Sequence, residues 1–596
     1  MKPWSISTTV RNPERLRNFL KVLKLLEGKP FTTENQIRYQ ILLIQNRYYK
    51  PETIQDKYRK YYEDLQSEIP YEVATEIFYY QDYEDPPMRG RQSVNPLNKM
   101  GFSIARETED KIVITQLGNQ FLSGDYDIGY VFFKSLLKVQ FPNPWSSDFS
   151  EKYGFDVVPF IAAMHLVNKI NQESDEKGLT KTEFCLFIPA LINYKLIADY
   201  TERIKEYRKA KDKETFIDHF ARHFYKKQDL TENQIKNFFE YGDNIMRYFR
   251  LTRYFKVSTD NFGADWRIDL EPIRKVEIEQ LLKQYSGQSI SFGTNRDYIN
   301  YISDISLPKL PSEDEKNLRD IAQSLVKTIF DLSQSSNTSL SSNELLTLKT
   351  DYKALNRNDI NKFINLLRQI NLDLLNRIKK ASIVNNEQRL KEIITVLKSR
   401  KDIRKLAPEQ FEKLLAESLQ IINDEIRLKP NYPVDDNGEP ISHSPGNKPD
   451  IECFYKSYNI ICEVTLDTSN FQWIRETQPV MRHLREFETK NRDLKSYCLF
   501  IAPKIHVDTL YHFWTSIKHG YDGTKQFIVP LTTEYFSFLL ETLLLLINKG
   551  KRLNHLDLEN LYKKVIEQTD IVKGHTDWLL SIPITIDNWK REMLAL

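Results

Sequence analysis

The run Tyr458-Asn459-Ile460-Ile461-Cys462-Glu463-Val464 has the length and apolar character of a strand buried on both faces, yet an acid stands next to its last residue. A second apolar stretch, Ile451 to Tyr455, precedes it, with a four-residue turn candidate, Lys456 to Asn459, between the two. If the turn closes a hairpin in which Phe454 pairs with Asn459, the same register carried outward sets Asp450 opposite Glu463, with Cβ atoms roughly 5 Å apart. Two carboxylates so placed repel unless a cation lies between them, which predicts a hard-metal site of the Mg²⁺ type that retains several waters. Phosphodiester hydrolysis is the leading chemistry of such a site. The plainer alternative is a turn aspartate after Pro449 and a strand-end glutamate, but an acid at the end of a buried strand is uncommon without a partner or a metal.

A chain of 596 residues is too long for one core, so several modules are expected. Charged residues at 28% and hydrophobic ones at 40% fit a soluble globular protein, and a formal charge of +3 neither requires nor excludes a polyanionic partner. The four cysteines, Cys185, Cys453, Cys462 and Cys498, form no CxxC pair and are expected to be buried thiols rather than zinc ligands or disulfides. The first fifteen residues are polar, and the greasiest run, Phe536 to Ile547, is interrupted by Glu541 and too short to span a bilayer; a cytoplasmic location is expected.

In the N-terminal half, a short strand at Lys111 to Ile114 leads to Thr115 as the N-cap of a helix, with a partner strand at Gly101 to Ala105. A second unit opens at Thr180, which caps a helix with Glu183 in the capping-box position. That unit ends on Arg247 to Val257, a polar turn and Trp266 to Leu270. Helices closing on a two-stranded wing thus occur twice, as in tandem winged-helix modules that place a helix in the major groove of DNA. The segment Arg89 to Pro96 reads as a basic polar loop, and Arg203 to Lys213 as a solvated helix face. Candidate DNA contacts are Arg89, Arg91, Asn95, Lys181, Arg247, Arg250 and Arg253.

A boundary falls near 280 to 312. Beyond it Leu318, Ile321, Ala322, Leu325, Val326 and Ile329 recur at helical spacing, a serine-rich loop spans Ser333 to Asn343, and helical stretches follow near 359 to 380 and 384 to 399. A helix from about Pro408 to Arg427 buries Phe411, Leu415, Leu419 and Ile422, with Glu412 at the border of that face and able to reach the metal. Strands at Ser496 to Ala502 and Gln526 to Pro530, and a helix from about Gln478 to Asn491, complete a mixed α/β core.

Four groups of residues now make the chain recognisable: Gly446-Asn447-Lys448-Pro449-Asp450, Glu463-Val464-Thr465, Glu476 to His483, and Tyr497 to Pro503. They resemble the catalytic domain of AlwI-type Type IIS restriction endonucleases, the group that contains the BstNBI nicking enzyme. Arg91 to Pro96, Met100-Gly101-Phe102, Phe184-Cys185-Leu186 and Arg247 to Arg250 extend the resemblance to the N-terminal half. The resemblance implies a multidomain chain: a DNA-recognition region at 1–280, of two winged-helix-like subdomains at about 1–150 and 151–280; a helical linker at 281–380; and a PD-(D/E)XK nuclease domain with a mixed central sheet at 381–596. It places the catalytic acids on Glu412, Asp450, Glu463 and Glu476, with Mg²⁺ held by Asp450, Glu463 and the Val464 carbonyl. The usual motif has lysine two residues after the second acid, where this chain has Thr465. Lys448, Arg482 and His483 are then candidate phosphate contacts, although His483 is also spaced from Val480 as a core residue.

The implied activity is cleavage of double-stranded DNA a few base pairs outside a short asymmetric site, with one strand cut by a monomer. A second nuclease subunit or transient homodimer would cut the other strand. Two further readings stay open: a non-catalytic DNA-binding subunit with a degenerate nuclease domain, and a structure-selective repair nuclease.

Overall fold

The structure, a computed structural model, describes residues 2–7, 9–58, 61, 68–124, 126–146, 148–259, 266–384, 386–422, 424–446, 448–469 and 471–595. Asn447 and the turn expected between Val257 and Trp266, at 260–265, lie outside the described residues. The chain divides into two compact units, one built mainly from residues 1–258, 265–330 and 343–368, the other from 331–342 and 369–596. Among the described residues no helix is long and apolar enough to cross a membrane, and all four cysteines are free and buried.

In the first unit, strands β1 (Ser103–Ile104) and β2 (Val113–Ile114) form an antiparallel pair, and Thr115 Oγ1 accepts the Gly118 N–H at 3.0 Å to start the helix Gln116–Ser123. Arg89 to Pro96, expected as a loop, lies inside the helix Pro86–Lys99. Asp85 caps that helix and Pro86 and Pro87 open it, a start signal that outweighs Gly90 and Pro96. Gly90 is needed there, because a Cβ would sit 2.2 Å from the Gln36 carbonyl of the helix Thr33–Gln45.

Strand β3 (Leu179–Thr180) runs into the helix Lys181–Phe187 through the expected capping box of Thr180 and Glu183. Strands β4 (Phe255–Thr259) and β5 (Trp266–Leu270) follow the helix Glu232–Leu251, so Arg247 and Arg250 are helical rather than part of a strand. β3 joins them in a three-stranded sheet of order β3-β5-β4, one strand more than expected. In the stretch read as a solvated face, Arg203 pairs with Asp199, but Arg208 is mostly buried and grips Glu183 at 2.9 Å.

In the second unit, a five-stranded mixed sheet runs in the order β10-β9-β8-β7-β6. Its strands are β6 (Arg427–Pro430), β7 (Ile451–Phe454), β8 (Tyr458–Val464), β9 (Lys495–Ala502) and β10 (Ile528–Thr532). β7 runs antiparallel to both β6 and β8, while β8, β9 and β10 run parallel. The sequence pattern missed β6: the helix at Pro408 ends at Ile422, and Arg427-Leu428-Lys429-Pro430 forms an edge strand where proline and charge are tolerated. The hairpin register is as expected, Phe454 with Asn459 and Ile451 with Cys462, so the next step outward faces Asp450 with Glu463. The turn itself is shorter than expected. Tyr455 N–H donates to the Tyr458 carbonyl at 3.1 Å, which leaves Lys456-Ser457 as a two-residue loop.

Directly opposed residues share a face, so Ile460 and Cys462 line up with Tyr497 and Leu499, all buried in the core with Tyr458, Trp578 and Trp589. Asp450 and Glu463 point to the other face, where the helix Gln472–Lys490 packs. That helix begins six residues before its expected start, because Pro479 reads as a first-turn proline but lies in the interior. Glu476 is therefore helical.

Candidate active site

Four acids from four segments meet beside the end of β8. Glu412 comes from the helix Pro408–Ile422, Asp450 from the residue before β7, Glu463 from β8 and Glu476 from the helix Gln472–Lys490. Each has its own hydrogen-bond partner. The Ser444 N–H donates to both Glu412 oxygens at 3.3 and 3.0 Å, and its hydroxyl donates to Oε2 at 2.9 Å. The Val464 N–H donates to Asp450 Oδ2 at 2.8 Å. His483 Nδ1 lies 2.8 Å from Glu463 Oε1, and the Thr465 hydroxyl donates to Glu476 Oε1 at 2.7 Å.

No lysine or arginine forms an ion pair with any of the four among the described residues. All four carboxyls are pushed above the usual range, first by burial. For Asp450 the charges of Glu463 and Glu412 add to burial, against the Val464 N–H. For Glu463 those of Glu476 and Glu412 add, partly offset by Arg482. Ser444 and Thr465 oppose the rise at Glu412 and Glu476. Burial and Arg482 also lower the His483 ring, which favours its neutral form.

The four acids of the sequence reading are thus brought together. Val464 contributes its N–H to Asp450. His483 is buried and engaged with Glu463, whereas Lys448 is exposed and Arg482 half-exposed, 3.8 Å from Glu486. Ser444 escaped the sequence reading because its partner lies 32 residues away. Thr465 was conspicuous only as a missing lysine.

Among the described residues no group of three or more His, Cys, Asp or Glu side chains is arranged to hold a metal ion. Magnesium does not require such a group, since it commonly binds through one or two carboxylates and keeps its other positions for water and phosphate. An opposed Asp450 and Glu463 with no lysine or arginine in ion-pair contact among the described residues suits that mode.

The candidate DNA contacts lie in the first unit. On the helix Pro86–Lys99, Arg89 stacks 4.4 Å from the Tyr83 ring, Arg91 binds Asp85 at 2.7 Å and Gln36 at 3.0 Å, and Asn95 is half-buried. Lys181 and Arg247 converge on Asp243, at 2.8 and 3.1 Å. Arg250 is buried, and Arg253, at φ 63°, reaches Asp127 at 3.3 Å.

The family model for AlwI restriction endonuclease matches residues 98–539. Among solved structures, the small subunit of the heterodimeric restriction endonuclease R.BspD6I is 24% identical, over 32% of this chain and 97% of that one, with a TM-score of 0.28. Restriction endonuclease FokI is 11% identical, over 94% of this chain and 98% of that one, with a TM-score of 0.23. No curated protein matches the chain.

Proposed function

Since the chain belongs to the AlwI restriction endonuclease family, and so to the hydrolases, we propose that it is a Type IIS endonuclease that binds a short asymmetric duplex site and hydrolyses a phosphodiester bond a few base pairs outside it. The observation that carries this reading is the set of four acids, each aimed by a separate hydrogen bond and none neutralised by a lysine or arginine. An acid cluster built only for stability would be costly without cations.

In this reading residues 381–596 form a PD-(D/E)XK nuclease domain, 281–380 the linker, and 1–280 the recognition region. The β3-β5-β4 sheet behind a long helix supports a winged-helix-like subdomain, with Lys181, Arg247 and Arg253 near its wing and Arg89, Arg91 and Asn95 on the other subdomain.

Asp450, Glu463 and the Val464 carbonyl would hold Mg²⁺, which when bound supplies Lewis-acid polarisation of the phosphate and a more acidic water. Ser444 keeps Glu412 at the edge of the cluster, and His483 keeps Glu463 in place. With no lysine on β8, exposed Lys448 and half-exposed Arg482 are the cations available to meet the scissile phosphate. Water attack in line leaves 5′-phosphate and 3′-hydroxyl ends. One centre per chain cuts one strand, so double-strand cleavage takes a second subunit or a second copy.

Plasmid incubated with the protein and Mg²⁺ should be nicked or linearised, and run-off sequencing should place every cut at a constant offset from one repeated sequence. Asp450→Ala should abolish cleavage while DNA binding survives. An inert parent, or cuts that follow flaps and mismatches, would refute the proposal.

A further inference from the structure

The residue that replaces the motif lysine is tied into a chain of contacts leading to an acid. Thr465 is buried directly after β8, and its N–H donates to the Ile501 carbonyl of β9 at 3.1 Å, which fixes its backbone. Its hydroxyl accepts the Asp467 N–H at 3.1 Å and stands 2.7 Å from Glu476 Oε1. With the acceptor side engaged by the backbone, the one hydroxyl proton is directed at Glu476.

Asp467 is held in turn. Its carbonyl accepts from Gln472 Nε2 at 2.6 Å, and its Oδ2 binds Arg475 at 2.9 Å. Arg475, next in sequence to Glu476, opposes the rise of that carboxyl only weakly, since its guanidinium is paired with Asp467. A lysine at 465 would bring a cation to Glu476; threonine brings a short neutral donor that orients the carboxylate and leaves its charge in the cluster.

We propose that Thr465 is a positioning residue: its hydroxyl, oriented by the Asp467 amide, fixes Glu476 against Asp450 and Glu463, so that orientation of an acid stands where the common motif has a cation. This rests on the reading of the four acids as a divalent-cation centre. Groups that orient metal-site carboxylates commonly cost 10- to 100-fold in metal affinity when removed.

The test uses the full chain and two readouts: Mg²⁺- or Mn²⁺-dependent thermal stabilisation without DNA, and cleavage kinetics. Thr465→Val keeps the branched shape and loses the hydroxyl. It should melt within a few degrees of the parent in EDTA, need roughly tenfold more metal for half-maximal stabilisation, and lose kcat roughly 10- to 100-fold with little change in KM. Thr465→Ser should restore both readouts to within about threefold. In a Glu476→Gln background, Thr465→Val should have little further effect, since both changes act on one contact.

A Thr465→Val enzyme with parental metal dependence and kcat overturns the assignment. So does a Thr465→Ser enzyme as impaired as Thr465→Val, or a Thr465→Lys enzyme more active than the parent. A parent whose melting ignores both metals overturns the metal centre and the Thr465 assignment with it, whereas a responsive parent with an equally responsive Thr465→Val overturns Thr465 alone.

Discussion

Replacing Asp450 with asparagine should abolish cleavage yet make the metal-free protein more stable. The substitution keeps shape and the acceptor for the Val464 N–H, and it removes one of four clustered charges. Asp450 opposes Glu463 across the hairpin, a spacing of about 5 Å between Cβ atoms, and at an effective dielectric of ~20 two full charges so placed repel by about 3 kcal/mol. Part of that is already relieved because burial and like charges hold both carboxyls toward protonation. A net gain of about 1–3 kcal/mol in EDTA follows, seen as a melting temperature several degrees higher.

The pH dependence has a definite sign. A carboxyl whose folded pKa lies above its unfolded one contributes nothing adverse below the ordinary carboxylate range, where both states are protonated. The penalty grows as pH rises from there through the folded value. The advantage of Asp450→Asn should thus be small near pH 4, widen toward neutral pH, and shrink or reverse in millimolar Mg²⁺, which stabilises only the parent. Thermal melts across pH with EDTA or Mg²⁺ measure all of this. An asparagine variant less stable than the parent in EDTA at pH 8, or a difference that ignores pH, would refute the reasoning.

Ser444→Ala removes the hydroxyl from Glu412 and leaves the amide; cleavage should fall roughly tenfold with about 1 kcal/mol lost in denaturant melts. Gly90→Ala would drive a Cβ into the Gln36 carbonyl at 2.2 Å, so the first unit should lose about 1–3 kcal/mol by thermal unfolding, and DNA affinity with it. Burial pushes the ammonium groups of Lys99 and Lys138 down to about 7. Between about pH 7 and the ordinary lysine value near 10.4 the unfolded chain binds more protons, so stability should rise with pH in that window. Lys99→Met should flatten the rise in melts from pH 7 to 9.

What was legible in the sequence was what local chemistry decides. Thr180 with Glu183, Thr115, and the apolar run from Tyr458 are each set within a few residues, and the hairpin register carried Asp450 to Glu463 without any long-range information. Where a segment takes its structure from a distant partner, the pattern was silent or misleading. β6 has no apolar alternation and exists because β7 supplies its hydrogen bonds. The Arg89 to Pro96 segment carries loop-like residues, but Gly90 lets its helix lie against the helix Thr33–Gln45. Pro479 imitates a helix start, and Ser444 has no motif of its own.

The Lys456-Ser457 loop lies several residues from either acid and touches no chemistry, yet it gauges the distance along both arms of the hairpin. Lengthening or shortening one arm by a single residue would send Asp450 and Glu463 to opposite sides of the sheet, one into the tyrosine-rich core and one toward Glu476. A one-residue insertion in either arm would be as damaging to cleavage as the loss of a carboxylate, although every catalytic residue would remain in the chain.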